Sequence, residues 1–213
     1  MQKITLFIVS IFCLCILASY QPSSRQDWIS LFDGQSLNGW TVGDNATSFS
    51  VKEGAIVVNG EVAHLYYTGS VNNHMFKNFE FKVDIMTLPG SNSGVYIQTE
   101  YKKGGWPEKG YEVQVNNSHT DWRRTGSLWA IQDLKEVFVK DREWFTMRIV
   151  VMDKNIKVYI NEQLVNDYTE PANVQRNENM RGRLLDRGTF ALQGHDPNST
   201  VHYKNIMVKP LAD

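Results

Sequence analysis

Cysteine is nearly absent from this chain of 213 residues, which contains two. Cys13 and Cys15 both lie inside an apolar run close to the N-terminus. Everything after that run therefore lacks a disulfide, a thiol nucleophile and a thiolate metal ligand. A part of about 190 residues without cross-links must be stabilised by a large hydrophobic core, and that length is enough for one substantial domain.

Runs of basic residues are also missing. The formal net charge is -1, from 22 Lys and Arg against 23 Asp and Glu. A chain with this charge balance and no basic run lacks the basic patch that binds nucleic acid, so we expect no nucleic-acid partner. The sequence also contains no dinucleotide fingerprint, no phosphate-binding loop and no zinc spacing. We therefore predict that no nucleotide cofactor is bound.

The first nineteen residues differ in kind from the rest. Lys3 precedes an apolar run of about a dozen residues that ends near Ala18 and Ser19, which is typical of a secretory signal peptide. An N-terminal membrane anchor is the competing interpretation, but the run is short for a membrane span. We predict a cleaved signal peptide at 1–19, a linker at 20–27 and a single domain at 28–213. The protein would be exported, periplasmic or secreted, without stable membrane insertion.

No segment carries a long helical period with capping residues. Apolar and polar residues instead alternate in short runs, as in 79–85 and in a predicted β-meander at 143–168. The segments "GTFALQGHD" and "TVHYKNIMVKP" are expected to close the chain as a hairpin, "SLWAI" is expected to be a strand, and 170–188 is expected to be a surface loop. These patterns predict an all-β sandwich of two antiparallel sheets.

Two of the predicted strands carry unusual polar rows. In "GYEVQVNN" the polar face consists of one carboxylate and two carboxamides, Glu112, Gln114 and Asn116. In "SGVYIQTE" the residues that would share a face by alternation are Gly94, Tyr96, Gln98 and Glu100. A carboxamide presents both a donor and an acceptor, so such rows suit the recognition of hydroxyl groups.

Several segments together resemble a known family. They are "LFDGQSLNGW", "NSGVYIQ", "GYEVQV", "RTGSLW", "EWFTMRIVV" with "IKVYINEQLVNDY", and "GTFALQGHD" with "VHYKNIMVK". In this order they are similar to the 3-keto-disaccharide hydrolase domain family, also described as 3-keto-glucoside 1,2-lyase or 3-keto-2-hydroxyglucal hydratase. The resemblance covers roughly residues 28–211. It implies a concanavalin A-like jelly roll with a sugar cleft on its concave sheet and a carbohydrate substrate.

The resemblance also implies a particular chemistry. A ketone at C3 acidifies the proton on C2, so one base can remove that proton and the enolate can expel the group at C1. Water then adds to the unsaturated product. Such a reaction needs one general base and a group that stabilises the enolate oxygen. Because no redox cofactor is expected here, a separate dehydrogenase would have to supply the keto sugar.

Candidate residues follow from this chemistry. Either Glu112 or His195 could act as the base, and Arg124 could stabilise the enolate. A divalent metal ion could take over that stabilisation as a Lewis acid, with Glu112 and His195 as ligand types. The residues expected to contact the sugar, by amide hydrogen bonds or by aromatic stacking, are Tyr96, Gln98, Trp106, Gln114, Trp129 and Gln193.

Two other functions are compatible with the same features. A non-catalytic carbohydrate-binding module would use the same aromatic residues and amides. A conventional glucanase-like hydrolase would need two carboxyl groups about 5 to 9.5 Å apart. The single carboxylate of the Glu112 row does not favour that second alternative.

Overall fold

The computed structural model describes residues 27–212. The predicted signal peptide at 1–19, and the linker up to residue 26, lie outside the described residues. Within 27–212, no helix combines the length and the apolar composition that crossing a membrane requires.

The described residues form thirteen β-strands and three short 3-10 helices, at Ala46–Ser48, Val71–His74 and Glu178–Met180. The strands are β1 (Ile29–Ser30), β2 (Trp40–Val42), β3 (Phe49–Lys52), β4 (Ala55–Val58), β5 (Ala63–Tyr67), β6 (Phe79–Thr87), β7 (Ser93–Thr99), β8 (Tyr111–Val115), β9 (Phe145–Met152), β10 (Asn155–Ile160), β11 (Gln163–Thr169), β12 (Thr189–Gly194) and β13 (Val201–Pro210).

The strands form two antiparallel sheets. One sheet has the order β11-β10-β9-β6-β13-β4-β3, with β1 added to β13, and the second has the order β2-β5-β12-β7-β8. The predicted fold class, an all-β sandwich of two antiparallel sheets, is confirmed. The predicted meander is also confirmed as β9, β10 and β11, with positive φ at the turn residues Asp153, Asn161 and Glu162.

The core lies between the two sheets. Alternate residues of β6, such as Phe79, Phe81 and Val83, are completely buried, while the residues between them are partly exposed. β9 and β10 alternate in the same way because their outer face meets solvent. Burial of this large apolar cluster is the main source of stability for a chain segment without cross-links.

The five-stranded sheet is different, because β5, β7, β8 and β12 are buried at every position. One face of these strands packs on the core. The opposite face is covered by the loops 100–109 and 176–187, and it carries polar residues. A sheet face that is buried, polar and covered by loops is where a binding site can form.

Two predicted elements are corrected by the structure. β12 and β13 do not form a hairpin: β12 pairs with β5 and β7, whereas β13 pairs with β6 and β4 in the other sheet. The connecting residues 195–200 therefore pass from one sheet to the other. "SLWAI" is a turn rather than a strand, and Leu128 alone makes bridges, to Val113 and Gln132.

Candidate functional site

A cavity of about 1050 Å³ lies on the covered face of the five-stranded sheet. Its floor consists of alternate residues of β7, β8 and β12. Its walls come from the loops 100–109 and 176–187 and from the turn that holds Trp129. The volume is slightly above the range typical of small-molecule sites, so the space is large enough for such a ligand.

The register of the strands sets the order of the floor residues. Tyr96 pairs with Glu112, and Gly94 pairs with Gln114. Since Ala191 pairs with Tyr96, Gln193 is level with Gly94 two residues further along β12. The polar side chains of three strands therefore meet at one patch of the sheet.

Glu112 lies at the centre of this patch and is 6% exposed. Its Oε2 accepts a hydrogen bond from the Tyr96 hydroxyl at 2.7 Å, and its Oε1 accepts one from Gln193 Nε2 at 2.8 Å. A Cβ on Gly94 would lie 2.8 Å from Glu112 Oε1, so glycine is needed there to leave room for the carboxyl. Burial raises the pKa of Glu112, although these bonds and the nearby Arg183 oppose that shift.

The two floor amides, Gln114 and Gln193, each have one occupied end and one free end. Gln114 Nε2 donates to Asn92 Oδ1 at 2.6 Å, and Gln193 Nε2 donates to Glu112. Within residues 27–212, the Oε1 atoms of both are buried without a hydrogen-bond partner. The sequence predicted that each amide would offer both a donor and an acceptor to a ligand. In the structure the Nε2 donors are already used, so these amides offer their Oε1 acceptors to the hydroxyl groups of a ligand.

His195 follows β12 directly and is held by its neighbour. Its Nδ1 lies 2.7 Å from Asp196 Oδ2. Burial alone would raise the pKa of Asp196, but hydrogen bonds from His195, Ser199 and the Asn198 N–H together lower it. An ionised carboxylate can only accept, so His195 Nδ1 is the donor in this bond. On the other side of the ring, His195 Nε2 lies 3.3 Å from Asn92 Nδ2.

His119 lies beside this pair. Ligand atoms of His119, His195 and Asp196 lie within 4.8 Å of one another, which is close enough for a metal ion. Glu112, the other ligand type expected from the sequence, is not in this group. The Asp196 carboxylate is already bonded to His195 and Ser199, and His119 Nδ1 accepts the Asp121 N–H at 3.0 Å. Imidazole and carboxylate groups in this arrangement can serve as a general base or as metal ligands.

Aromatic rings line opposite sides of the cavity. Trp106 is 44% exposed, and the centroid of its ring lies 5.4 Å from that of His64 and 5.8 Å from that of His195. Trp129 lines the cavity from the turn after β8, with the Arg123 guanidinium 5.1 Å from its ring centroid. Rings that line a cavity in this way suit stacking against the apolar face of a sugar.

Arg183 is a cation of the cavity that sequence reasoning missed. It is 7% exposed, its guanidinium lies 5.3 Å from the Tyr96 ring centroid, and Nη1 donates to the Gly110 carbonyl at 3.3 Å. It comes from the loop 176–187, which has no hydrophobic period that could have indicated an inward side chain.

The structure places two predicted site residues away from the cavity. Gln98 Nε2 donates to the Lys77 carbonyl, and Gln98 Oε1 accepts the Asp186 N–H. A positive φ of 51° at Gln98 interrupts the alternation of β7, so its side chain leaves the face of Tyr96. Both ends of this buried amide are used within the fold.

Arg124 is the second correction. Its Nη1 donates to the His119 and Asp121 carbonyls and to Asn116 Oδ1, so the guanidinium closes the loop after β8. The other predicted residues line the cavity: Tyr96, Trp106, Glu112, Gln114, Trp129, Gln193 and His195. Their roles remain predictions, whereas their common location is a feature of the structure.

Three further residues near the floor were not among the predicted site residues. Asn92 precedes β7, His119 lies in the loop after β8, and His64 lies on β5 opposite Gln193. Burial lowers the pKa of His64 to about 3, so this imidazole is neutral. The alternation of "VAHLYY" places His64 and Tyr66 on one face, and that signal was available in the sequence.

The fold and the cavity together define a jelly-roll β-sandwich protein. A candidate glycosyl hydrolase from Parabacteroides distasonis superimposes with a TM-score of 0.72 at 21% identity, covering 87% of this chain and 94% of that protein. The carbohydrate-binding module CBM66 from Bacillus subtilis superimposes with a TM-score of 0.59 at 13% identity, covering 80% of this chain and 95% of the module. At these identities the similarity establishes the fold.

The family is established by sequence. The model of the 3-keto-alpha-glucoside-1,2-lyase-like domain matches residues 27–209, and the chain belongs to this family. A protein of Bacteroides thetaiotaomicron named 3-keto-disaccharide hydrolase is 28% identical over 126 residues, which are 47% of this chain. The aligned part spans 41% of that relative's length.

Proposed function

We propose that the protein is an exported enzyme that cleaves 3-keto-glycosides by removing the C2 proton and expelling the substituent at C1. Family membership and the name of the Bacteroides relative support the substrate class. The observation that carries the proposal is the His195–Asp196 pair beside a sheet floor with one carboxylate. Within the described strands of that sheet, Glu112 alone is acidic.

His195 is the better candidate for the base. Its Nε2 has one long contact, 3.3 Å to Asn92 Nδ2, whereas both oxygens of Glu112 already accept shorter hydrogen bonds from Tyr96 and Gln193. A general base must reach the proton it removes. Glu112 is instead suited to hold the Tyr96 hydroxyl and to balance the charge of Arg183, which lines the same cavity.

The steps balance without a redox partner. His195 Nε2 takes the C2 proton, and the electron pair of that C–H bond forms an enolate with its charge on the C3 oxygen. Arg183 stabilises that charge. When the carbonyl re-forms, the electron pair moves into a C1–C2 double bond and the bond from C1 to the leaving oxygen breaks. This oxygen takes up the proton that His195 removed from C2, which returns His195 to its starting state. Addition of water across the double bond gives net hydrolysis.

The free acceptors of the floor support a polyhydroxylated substrate. Gln114 Oε1 and Gln193 Oε1 are buried and unpaired among the described residues, and each can accept a sugar hydroxyl. Leaving a buried acceptor without a partner costs about 1 to 3 kcal/mol, so a ligand whose hydroxyl pairs with that acceptor binds more tightly. Trp106 and Trp129 can stack on the sugar faces.

The test is incubation of the pure protein with an aryl 3-keto-glucoside and with the corresponding unoxidised glucoside, as both anomers, with and without a chelator. Aryl alcohol should be released from the keto sugar alone, and more slowly when C2 carries deuterium. His195→Gln should abolish release, whereas His202→Gln, on β13 of the other sheet, should not. Release from both sugars would indicate ordinary hydrolysis, and binding without release would indicate a binding module.

Export is proposed on the N-terminal sequence. Lys3, the apolar run after it and the small residues Ala18 and Ser19 support cleavage of a signal peptide. Expression in a bacterial host, followed by cell fractionation and N-terminal sequencing, tests this. A mature N-terminus close to Tyr20 in the periplasm or medium is expected, and an uncleaved chain in the membrane fraction would contradict it.

A further inference from the structure

The Arg183 side chain has few contacts of its own in the cavity. Within the described part of the chain, Nη1 makes its one hydrogen bond, to the Gly110 carbonyl at 3.3 Å, and the guanidinium lies 5.3 Å from the ring centroid of Tyr96. No described carboxylate forms an ion pair with it. A long, flexible arginine side chain with two weak contacts takes its position mainly from its backbone.

The backbone around Arg183 is held on both sides by charged side chains. The Arg183 carbonyl accepts a hydrogen bond from Arg176 Nε at 3.0 Å. Two residues further on, the Leu185 N–H donates to Glu170 Oε2 at 2.7 Å. These bonds determine where the Arg183 backbone lies and the direction in which its side chain leaves the loop.

Glu170 and Arg176 are joined through the Tyr111 hydroxyl, and we call these three residues the clamp. The hydroxyl donates to Glu170 Oε2 at 2.5 Å and accepts from Arg176 Nη2 at 2.8 Å. Burial alone would raise the pKa of Glu170, but hydrogen bonds from Lys154, Tyr111 and the Leu185 N–H together lower it. The clamp is therefore built around an ionised carboxylate, which forms the stronger kind of hydrogen bond.

The clamp lies outside the cavity into which Arg183 projects. Within the described chain, no clamp residue lines that cavity, and Glu170 instead lines a second cavity of about 670 Å³ together with Leu184 and Leu185. Gly182 lines both cavities, whereas Arg183 lines the first alone. The segment 182–185 is thus a wall between the two cavities, and the clamp holds it from the side opposite to the ligand space.

We propose that Glu170 and Arg176 are positioning residues that hold Arg183 where it meets the negative charge of the reacting sugar. The inference rests on the proposed function in one respect, namely that Arg183 stabilises the enolate. A cation is most effective when it is in place before the charge develops. Displacing such a group by about 1 Å through a change far from the chemistry can cost about 10²-fold in rate.

The first measurement follows the Arg183 guanidinium itself, in the purified protein labelled with 15N-arginine and without substrate. Arg183→Met assigns the Nε–H signal by its loss. In the wild type this proton should exchange with water more slowly than that of Arg181, whose side chain is 75% exposed. Glu170→Met removes the acceptor for the Leu185 N–H and the Tyr111 hydroxyl, so exchange at Arg183 should become several-fold faster.

Glu80→Met is the matched control. Glu80 is also a partly buried carboxylate with two cationic partners, Arg148 and Lys209, but it lies on β6 of the other sheet. Its replacement should leave the exchange rate of the Arg183 signal unchanged.

A second variant protects the test against misfolding of the first. Arg176→Lys keeps the positive charge, but lysine cannot reach the Arg183 carbonyl and the hydroxyls of Tyr111 and Tyr168 at once, as the arginine does. Exchange at Arg183 should again become faster. A freely exchanging Arg183 signal in the wild type, or an unchanged signal in either folded variant, would overturn the proposal.

Kinetics test whether Glu170 acts through Arg183. If the enzyme cleaves keto sugars, Glu170→Met should lower kcat by about 10-fold to 10²-fold, with little change in KM. The double variant with Arg183→Met should be no slower than Arg183→Met alone, because the cation that the clamp positions is already gone. A merely structural role would lower kcat by the same factor in both backgrounds, and that result would contradict the proposal.

The two measurements also separate this proposal from the function on which it rests. If no keto sugar is cleaved but the Arg183 signal changes as expected, the positioning role stands and the catalytic role of Arg183 fails. If the wild type is active but the signal is unchanged in the folded variants, the function stands and the positioning role fails.

Discussion

The Tyr96 hydroxyl donates to Glu112 Oε2 at 2.7 Å from directly across the β7–β8 pair. Burial, and then the neighbouring Glu112 charge, raise the pKa of Tyr96 well above its usual value, so the phenol keeps its proton. The carboxyl group of Glu112 is thus held in the floor of the cavity by neutral donors. This relationship gives Glu112 a measurable effect on stability.

Glu112→Gln should make the free protein more stable at alkaline pH. The folded-state pKa of Glu112 is raised by burial, so its contribution is fully present below the unfolded value of about 4.3 and is lost as pH rises through the folded value. The glutamine carries no charge and avoids this loss, and Gln193 can turn its free Oε1 toward the new amide.

Chemical denaturation across a pH series measures this difference. The gap in the free energy of unfolding between variant and wild type should grow as pH rises from about 4.3 through the folded-state pKa of Glu112, while Glu143→Gln, at an exposed position, should show no such trend. A gap that stays constant with pH would contradict the assignment. In the keto-sugar assay, Glu112→Gln should retain more activity than His195→Gln, because His195 is the proposed base.

His64 should make the protein sensitive to acid. Burial lowers its pKa to about 3, against an unfolded value of about 6.5. The unfolded chain therefore binds a proton that the native state excludes, and the free energy of unfolding should fall by about 1.4 kcal/mol per pH unit between these values. His64→Phe, which keeps an aromatic ring against Tyr96 and Trp106, should remove this contribution.

Denaturation midpoints measured from neutral to acidic pH test the role of His64. His74→Phe, at an exposed position, is the matched control and should follow the wild-type curve. Parallel curves for wild type and His64→Phe would show that this imidazole takes up its proton equally in the native and unfolded states, against the lowered pKa.

Replacement by methionine should affect catalysis at Arg183 and stability at Arg124. Arg183→Met removes the cation that lines the cavity and should lower kcat on a keto sugar by about 10²-fold, with KM less affected. Arg124→Met removes the guanidinium that closes the loop after β8 and should lower the melting temperature instead. Steady-state kinetics and thermal unfolding of both variants test this difference. A large loss of kcat in Arg124→Met, with only a lower melting temperature in Arg183→Met, would support Arg124 as the catalytic cation.

Trp106 should contribute to binding more than to chemistry. Trp106→Ala removes the exposed ring beside His64 and His195, and KM should rise by about tenfold if stacking is worth about 1.4 kcal/mol. Trp122 is comparably exposed, at 45% against 44%, but does not line the cavity. Trp122→Ala should leave KM unchanged, and an equal effect of both substitutions would argue against a stacking role.

The strands and the polar floor could be predicted because both follow a period of two. Alternation alone placed Tyr96, Glu112 and Gln114 on faces opposite to the core residues of β7 and β8, and the structure has them there. The same rule failed at Gln98, because one residue with positive φ changes the face of every side chain that follows it. Nothing in "YIQTE" indicates that irregularity.

Sheet membership and loop geometry could not be predicted in the same way. β12 and β13 are neighbours in sequence, yet they belong to different sheets, because six residues suffice to cross from one sheet to the other. Arg183 and Asn92 lie outside the strands, where no period relates position to direction. Their places in the cavity depend on contacts between segments far apart in the chain, such as Asn92 N–H to Ser199 Oγ.

The division of the cavity into a strand floor and loop walls has an evolutionary consequence. The groups proposed to perform chemistry are built into hydrogen-bonded strands or tied to them, as His195 is through Asp196, Ser199 and Asn92. The walls at 100–109 and 176–187 are loops that can change in length without disturbing those strands. Related proteins can therefore differ in the ligand that the walls admit, while the floor and its polar groups stay the same.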